Sequence, residues 1–433
     1  TVLAKAFYLA NTGRPGPVVV ELPKDILNPQ LKFDFKMPNQ IEMRTYNPSV
    51  KGHGKQIKKA VEAILNAKRL VIYSGGGVVL SDTSDKLKEL VETLNAPITN
   101  TLMGLGGISG THPNFIGMLG MHGSVEANKA MANADVILAL GARFDDRVTN
   151  NVKKFCPNAT IVHVDVDPTS ISKTIKAHIP VVGCLATVFE QLLSAINNSS
   201  ERIDRAAQEV WWEEITKWRA QKCLAYETNP EVLKPQTVIE KVYEITNGDA
   251  YVCSDVGQHQ MFAAQYYPFK NPRQWINSGG LGTMGFGLPA AMGVKMAFPE
   301  NEVLCVTGDG SIQMNIQELS TCLQYGLAVK IISLNNRSLG MVRQWQDMQY
   351  GGRHSSSYME SLPDFVALAE SYGHIGIKVD RPDQLDEALE KAFSIKDRLV
   401  FLDIRVDEKE HVYPMQIKLG AVDDMWLKKG VKA

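Results

Sequence analysis

Residues 303–338 read VLCVTGDGSIQMNIQELSTCLQYGLAVKIISLNNRS, and the order of their parts decides the fold. The opening VLCVT is short, apolar and rich in Val, as a buried strand is, and the glycines flanking Asp309 let the backbone turn sharply with open space above it. Beyond Gly310 the apolar Ile312, Ile316, Leu319 and Leu323 recur at helical spacing. That spacing predicts a helix from about Ser311, with free N–H groups at the turn that attract phosphate. VKIISL then follows at the distance of a helical crossover, so it reads as a parallel neighbour of the first strand. Asn335-Asn336 thereby reaches the same carboxyl edge as Asp309, the edge at which such sheets bind ligands. A carboxylate, an amide oxygen and a nearby backbone carbonyl are hard donors suited to octahedral Mg²⁺ completed by phosphate oxygens and water. The stretch is a candidate site for a divalent metal and a diphosphate.

Composition narrows the class. A chain of 433 residues is expected to form two or three domains, and its 44% hydrophobic content suits large buried cores. Lys and Arg number 46 against 47 acidic residues, which leaves no basic surplus for nucleic acid. No run approaches the roughly 18 apolar residues a membrane span needs. The first residues, TVLAKAFYLANTGRPG, lack the build of a signal peptide, so a cytoplasmic or organelle-interior location is expected. The six cysteines, at 156, 184, 223, 253, 305 and 322, are scattered without a CxxC pair and read as reduced, buried thiols. The nine histidines show no HxH or HExxH spacing, so zinc is not expected.

At the start, VLAKAFYLAN reads as the end of an amphipathic helix and GPVVVELP as a buried strand that closes a domain, which suggests a chain lacking an N-terminal domain. Pro23 to Pro48 reads as a linker. From Lys55 helices and strands alternate: KQIKKAVEAILNA, RLVIYSGGG, DKLKELVETLN and PITNTL, then SVEANKAMANA, DVILALGARF, ATIVHVDVD and ATVFEQLLSAIN. Such alternation implies a doubly wound parallel sheet. Gly75, Gly76 and Gly77 end its first strand, either as a plain tight turn or as a place where a cofactor diphosphate touches the backbone. Residues 201–226, with Trp211, Trp212 and Trp218, read as a long connecting helix whose tryptophans pack between domains. From Pro235 a second α/β unit begins with TVIEKVYEIT and AYVCSDVG.

Taken singly, GDG is an ordinary turn and Asn-Asn an ordinary strand end. In this order, about two dozen residues apart across one strand-helix-strand unit, they match the thiamine diphosphate signature. With SDVGQHQMFAAQYY, INSGGLGTMGFGLPAAMGVKMA and SLGMVRQWQDMQYGGRHS around them, the C-terminal half resembles the catalytic large subunit of bacterial acetohydroxyacid synthases, also called acetolactate synthases. GRPGPVVVELPKDI, LMGLGG, MLGMHG, GARFDDRVT and VDVDPTSISK resemble the flavin-binding middle domain of that family.

The resemblance implies two doubly wound α/β domains. Residues 38–200 would form a central FAD-binding domain, 201–234 a connecting helix and 235–433 a thiamine diphosphate-binding domain, with 1–37 the close of a first, pyrimidine-binding domain plus linker. Asp309, Asn336 and the carbonyl of Ser338 would hold Mg²⁺, while Gln258, His259, Gly310 and Ser311 would hold the diphosphate. Met284 would force thiamine diphosphate into its bent form, Gly282 would offer a carbonyl to the pyrimidine, and Met314 would pack on it. For FAD the matching positions are Arg14, Gly75, Gly76, Gly77, Thr101, Leu102, Gly120, Met121, His122, Gly141, Arg143, Asp145, Arg147, Val148, Asp165 and Val166. Arg147 would also grip a 2-oxo acid carboxylate, against an alternative role in an ion pair within FDDRVT. Trp345 would limit the acceptor pocket, the alternative being a core tryptophan.

Two departures stand out. VVGCLA places Cys184 where the family usually has Asp, so weakened FAD binding is expected. The family's activating glutamate lies in its first domain and has no counterpart here, so the chain by itself is expected not to turn over. The implied reaction joins pyruvate, after loss of CO₂, to a second 2-oxo acid, giving 2-acetolactate or 2-aceto-2-hydroxybutyrate for branched-chain amino acid synthesis. The flavin would be structural. A homodimer or homotetramer with a small regulatory subunit is implied, and no nucleic-acid or membrane partner. The alternatives are a pyruvate oxidase-like flavin and thiamine enzyme, and a non-catalytic fragment.

Overall fold

A computed structural model describes residues 1–433 apart from positions 33, 35, 37 and 39, which fall within the expected linker and lie outside the described residues. Two parallel six-stranded sheets carry the fold. The first contains β1 (Leu70–Ser74), β2 (Ile98–Asn100), β3 (Phe115–Met118), β4 (Val136–Leu140), β5 (Thr160–Asp165) and β6 (Ile179–Val182), in the order β3-β2-β1-β4-β5-β6. The second contains β7 (Tyr251–Ser254), β8 (Trp275–Asn277), β9 (Val303–Gly308), β10 (Lys330–Asn335), β11 (Ile375–Val379) and β12 (Val400–Arg405), in the order β11-β12-β10-β9-β7-β8. The strand order reverses between β1 and β4 in the first sheet and between β7 and β9 in the second, which are the places where such sheets open a crevice.

The central strands β1, β4, β9 and β10 are buried at every residue, so their sequences run apolar without alternation. Successive side chains of β1 serve opposite faces. Ile72 joins the core under helices Gly54–Leu65, Ser84–Leu94 and Leu185–Asn197, while Val71 and Tyr73 join the core under helices Val125–Asn133 and Arg205–Arg219. The alternation read from Lys55 onward is the one observed. The strands without a clear sequence signal lie mostly at sheet edges: β3, β6 and β8 have three or four residues, and β6 carries Pro180.

Three local expectations are corrected. GPVVVELP forms no strand, and Val19 is 93% exposed. An extended apolar run becomes a strand only where a neighbour completes its hydrogen-bond ladder. The helix expected from Ser311 begins at Asp309, ends at Ile312, passes through a tight turn at 313–315 and resumes at Glu318–Gln324. Side chains account for the break: Gln313 Nε2 donates to the Asp309 carbonyl at 2.8 Å, and Asn315 Nδ2 to the Gly285 carbonyl at 2.6 Å. Finally, helix Arg205–Arg219 is shorter than expected and lies on the first sheet, where Trp211 is buried in its core and donates Nε1–H to the Leu70 carbonyl at 3.2 Å.

The C-terminal tail returns to the first sheet. Gln416 N–H donates to the Met121 carbonyl at 2.8 Å, Asn150 Nδ2 donates to the Ile417 carbonyl at 2.7 Å, and Val422 is buried in the first sheet's core. Among the described residues no helix is long and apolar enough to cross a membrane.

Candidate active site

The carboxyl edges of the two sheets face one cavity of about 700 Å³. The segment from β9 to Ser338 supplies one wall. Asp309 leaves β9 almost wholly buried; Gly310 N–H donates to its Oδ1 at 3.0 Å and Ser338 N–H to its Oδ2 at 3.2 Å. Burial raises its carboxyl to about 7 even though these N–H groups favour the anion, so a cation would be needed to hold it ionised well below neutrality. The Asn-Asn pair divides its work. Asn335 donates to Asp403 Oδ1 at 2.9 Å and accepts from Arg337 N–H at 3.2 Å, which fixes the positive φ of 50° at Arg337. Asn336 lines the cavity.

After β7 the chain enters helix Gln258–Tyr266 through Gly257. His259 is folded back over two glycines, and a β-carbon on Gly257 or Gly308 would come within 2.7 or 2.8 Å of its ring. Burial lowers its pKa to about 3, so the imidazole is neutral, and its buried Nε2 has no partner among the described residues. His259 and the other residues of the helix's first turn line the cavity, and the turn leaves its first N–H groups without intrahelical partners. The Gln258 side chain, in contrast, is engaged by protein at both ends of its amide. Gly310 and Ser311 also line the cavity, with Ser311 Oγ donating to the Val256 carbonyl at 3.0 Å.

The glycine-rich turn before helix Gly287–Ala297 brings Gly282 and Met284 to the cavity. Gly282 and Gly285 have φ of 80° and 85°, values that favour glycine. Met314 is 53% exposed and backs Gly285 outside the cavity lining. Trp345, on helix Gly340–Gln349, is half-buried at the cavity wall and is no core residue.

The opposite wall belongs to the first sheet. Asp145 caps the short helix Asp146–Thr149 by accepting from Arg147 N–H at 3.0 Å, and its carboxylate pairs with Arg143. The ion pair of Asp145 is therefore made with Arg143, the residue just before FDDRVT; the Arg147 side chain is exposed at the cavity and has no ion pair among the described residues. Leu102, Met121, His122 and Val148 complete this wall. His122 Nδ1 donates to the Pro414 carbonyl at 3.3 Å, while its Nε2 is buried without a partner, and burial lowers the ring to about 4.

The other positions matched to a flavin site surround the carboxyl edge of the first sheet without lining this cavity. Gly75 and Gly77 pack against the backbone of Gly141, so the close approach they permit is between the ends of β1 and β4, and Gly76 faces Met103. Thr101 Oγ1 is buried and unpartnered among the described residues. Gly120, at φ 112°, lies against Arg147 and Val148. Asp165 ends β5, Val166 follows it, and Arg14 approaches the same edge through Asp167 at 3.5 Å. Cys184 occupies the N-cap of helix Leu185–Asn197 and offers it no side-chain hydrogen bond.

Several residues of the site went unread in the sequence. Asp255, fully buried after β7, accepts from Gly285 N–H at 2.7 Å, Val256 N–H at 3.1 Å and Thr307 Oγ1 at 3.1 Å, and so holds the glycine-rich turn. Its place in SDVG at a strand end was the available signal. Asp407 and Glu410 line the cavity and share Lys234 at 2.8 and 2.5 Å, a pairing across more than 170 residues that no local pattern could reveal.

The fold and this cavity define a class: the central domain of thiamine pyrophosphate enzymes matches residues 57–192, and their C-terminal TPP-binding domain matches residues 255–404. Within that class the chain is 60% identical to the acetolactate synthase isozyme 3 large subunit of Escherichia coli (strain K12), over 99% of this chain and 75% of that protein. It is 58% identical to the acetolactate synthase large subunit of Haemophilus influenzae, with 99% and 75% covered, and 41% identical to a probable acetolactate synthase large subunit of Methanococcus aeolicus, with 94% and 69% covered. The chain belongs to the acetolactate synthase large-subunit family.

Proposed function

We propose that this chain carries out the thiamine diphosphate-dependent condensation of pyruvate with pyruvate or 2-oxobutyrate, releasing CO₂ and giving 2-acetolactate or 2-aceto-2-hydroxybutyrate for branched-chain amino acid synthesis. The observation that carries the reading is the shared cavity, in which Asp309, Asn336 and His259 face Arg147 across the carboxyl edges of two sheets. Thiamine diphosphate, when bound, supplies the carbon nucleophile and the electron sink for decarboxylation. The protein's part is binding and orientation. Asp309, Asn336 and the Ser338 carbonyl would hold Mg²⁺, a mixed oxygen set suited to a hard cation. Among the described residues no three His, Cys, Asp or Glu side chains cluster for a metal, so the amide and carbonyl oxygens are needed. The unpartnered His259 Nε2, the N–H groups at Gln258 and the turn Gly310-Ser311 would meet the diphosphate.

On the turn Gly282–Met284 the Met284 side chain would hold the cofactor bent, with Gly282 beside its pyrimidine and Met314, from its place behind Gly285, packing on it only once its exposed side chain turns inward. Arg147 would grip a 2-oxo acid carboxylate by a paired hydrogen bond, and Trp345 would bound the acceptor. FAD would lie on the first sheet's edge among Arg14, Gly75 to Gly77, Thr101, Leu102, Gly120 to His122, Gly141, Arg143, Asp145, Arg147, Val148, Asp165 and Val166; the orphaned Thr101 Oγ1 and His122 Nε2 support a polar ligand there. The reaction has no net redox change, so the flavin is structural.

Residues 38–200 would serve FAD and 235–433 thiamine diphosphate, joined by 201–234 and preceded by a separate segment at 1–37. The relatives' name, large subunit, supports assembly with a smaller regulatory one as well as with copies of this chain. The six free cysteines and the biosynthetic role support a cytoplasmic location. Acetolactate formation from pyruvate with thiamine diphosphate, Mg²⁺ and FAD, followed together with oxygen uptake, tests the reading. Product without oxygen uptake supports it. Oxygen consumed in proportion to pyruvate would instead make it an oxidase.

A further inference from the structure

Behind the cavity wall three side-chain amides form a chain of fixed direction. It starts at the backbone of Val412, whose N–H donates to Gln344 Oε1 at 2.9 Å and whose carbonyl accepts from Gln344 Nε2 at 3.1 Å. A peptide group has one donor and one acceptor in fixed places, so this pair permits only one orientation of the Gln344 amide. Gln344 Oε1 then accepts from Gln258 Nε2 at 2.8 Å. That bond, together with one from the same nitrogen to the Glu410 carbonyl at 3.2 Å, turns Gln258 Oε1 toward Asn336, whose Nδ2 donates to it at 3.0 Å. With its nitrogen so engaged, Asn336 keeps Oδ1 as its free end. Gln344 is fully buried and does not line the cavity.

A second observation marks the same path. Gly340 has an ordinary backbone φ, yet a β-carbon there would lie 2.5 Å from Asn336 Nδ2 and collide with Gln258 Oε1. The glycine leaves room for the amides.

We propose that Gln344 is a positioning residue: through Gln258 it decides which atom of Asn336 is presented to the divalent cation. The proposal rests on the cation site described under the proposed function. An amide turned the wrong way offers a metal its NH₂ group, which cannot ligate. Partners that orient a metal ligand in this way typically carry about 10- to 100-fold in affinity.

The test reads cation affinity without turnover, by titrating Mn²⁺ into the protein in the presence of thiamine diphosphate and following free Mn²⁺ by electron paramagnetic resonance. Gln344→Met, close in length and volume, is expected to weaken Mn²⁺ about tenfold or more. In an Asn336→Asp background, where either oxygen can ligate, the same change is expected to cost less than about twofold. Should Gln344→Met fail to fold, Gln344→Glu takes its place: its protonated acid can donate to the Val412 carbonyl while the other oxygen still faces Gln258, and near-parental Mn²⁺ affinity is expected. Equal loss in both backgrounds, no loss in either, or a folded Gln344→Glu protein as weak as a tenfold loss overturns the relay. A parent protein that binds no Mn²⁺ with thiamine diphosphate overturns the proposed cation site itself.

Discussion

Gly77 and Gly141 meet backbone to backbone at the crevice of the first sheet: a β-carbon on Gly77 would lie 2.7 Å from Gly141 Cα. Neither backbone can retreat, because both follow central strands. Gly77→Ala should therefore lower stability by about 1–3 kcal/mol, as overpacking does. Gly293, inside helix Gly287–Ala297 with open space around it, is the control; Gly293→Ala should stabilise by up to about 1 kcal/mol. Thermal unfolding of both variants checks the pair, and equal effects would sink the packing argument.

Asp255 grips the glycine-rich turn from below. Asp255→Asn keeps the shape but puts an amide NH₂ against donors, so it should cost about 1–3 kcal/mol. It should also weaken thiamine diphosphate binding, since Gly282 and Met284 ride on that turn. Calorimetric titration of the cofactor would show it; unchanged affinity would mean that the turn holds itself.

His122 gives the molecule an acid-sensitive point. Its folded pKa of about 4 lies below the ordinary 6.5, so the unfolded chain binds the proton more readily between those values. Stability is then full above pH 6.5 and falls as pH drops toward 4, losing about 1.4 kcal/mol for each pH unit crossed between the two values. His122→Asn should make the unfolding midpoint fall less steeply across pH 4–6.5, while His259, whose pKa burial lowers to about 3, keeps its own share of the slope. A variant whose acid sensitivity matched the parent's would place the effect elsewhere.

Cys184 stands at a helix N-cap without acting as one. Cys184→Asp supplies an acceptor for the free N–H groups of helix Leu185–Asn197 and should add about 1 kcal/mol. A rise in the melting temperature without any flavin present would assign the change to capping; a rise only with FAD would assign it to the ligand.

Arg147 makes no ion pair among the described residues, so its guanidinium is available. Arg147→Lys should raise the KM for the acceptor 2-oxo acid about tenfold and Arg147→Gln more, as expected for a charge-assisted pair of about 1.5–3 kcal/mol. Thiamine diphosphate affinity should stay put. An unchanged acceptor KM would remove Arg147 from substrate binding.

What could be read in advance was whatever is local. The strand, turn and crossover around Asp309 and Asn336 were legible because period and spacing mark them, and so was the alternation after Lys55. The site's supports were not. Asn335 looked like a twin of Asn336, and only its bond to Asp403 separates the two roles. Gln344 sat beside Trp345 as an unremarked polar residue, since its partners Gln258 and Val412 are far away in sequence. The glycines at 75 and 77 were legible as a tight place, but what fills it, Gly141, comes from another strand.

The tail from Glu410 to Met425 touches both walls: Gln344 holds Val412 on one side, and Met121 and Asn150 hold Gln416 and Ile417 on the other. The main chain thus passes between the two sheets' sides twice, once between helices Arg205–Arg219 and Pro235–Thr246 and once here. Two crossings of set length make a caliper, and the gap between the Arg147 and Asp309 walls is its reading. One residue added between Val412 and Gln416 would lengthen that arm by about 3.3 Å, roughly the size of the contact a reacting pair must keep.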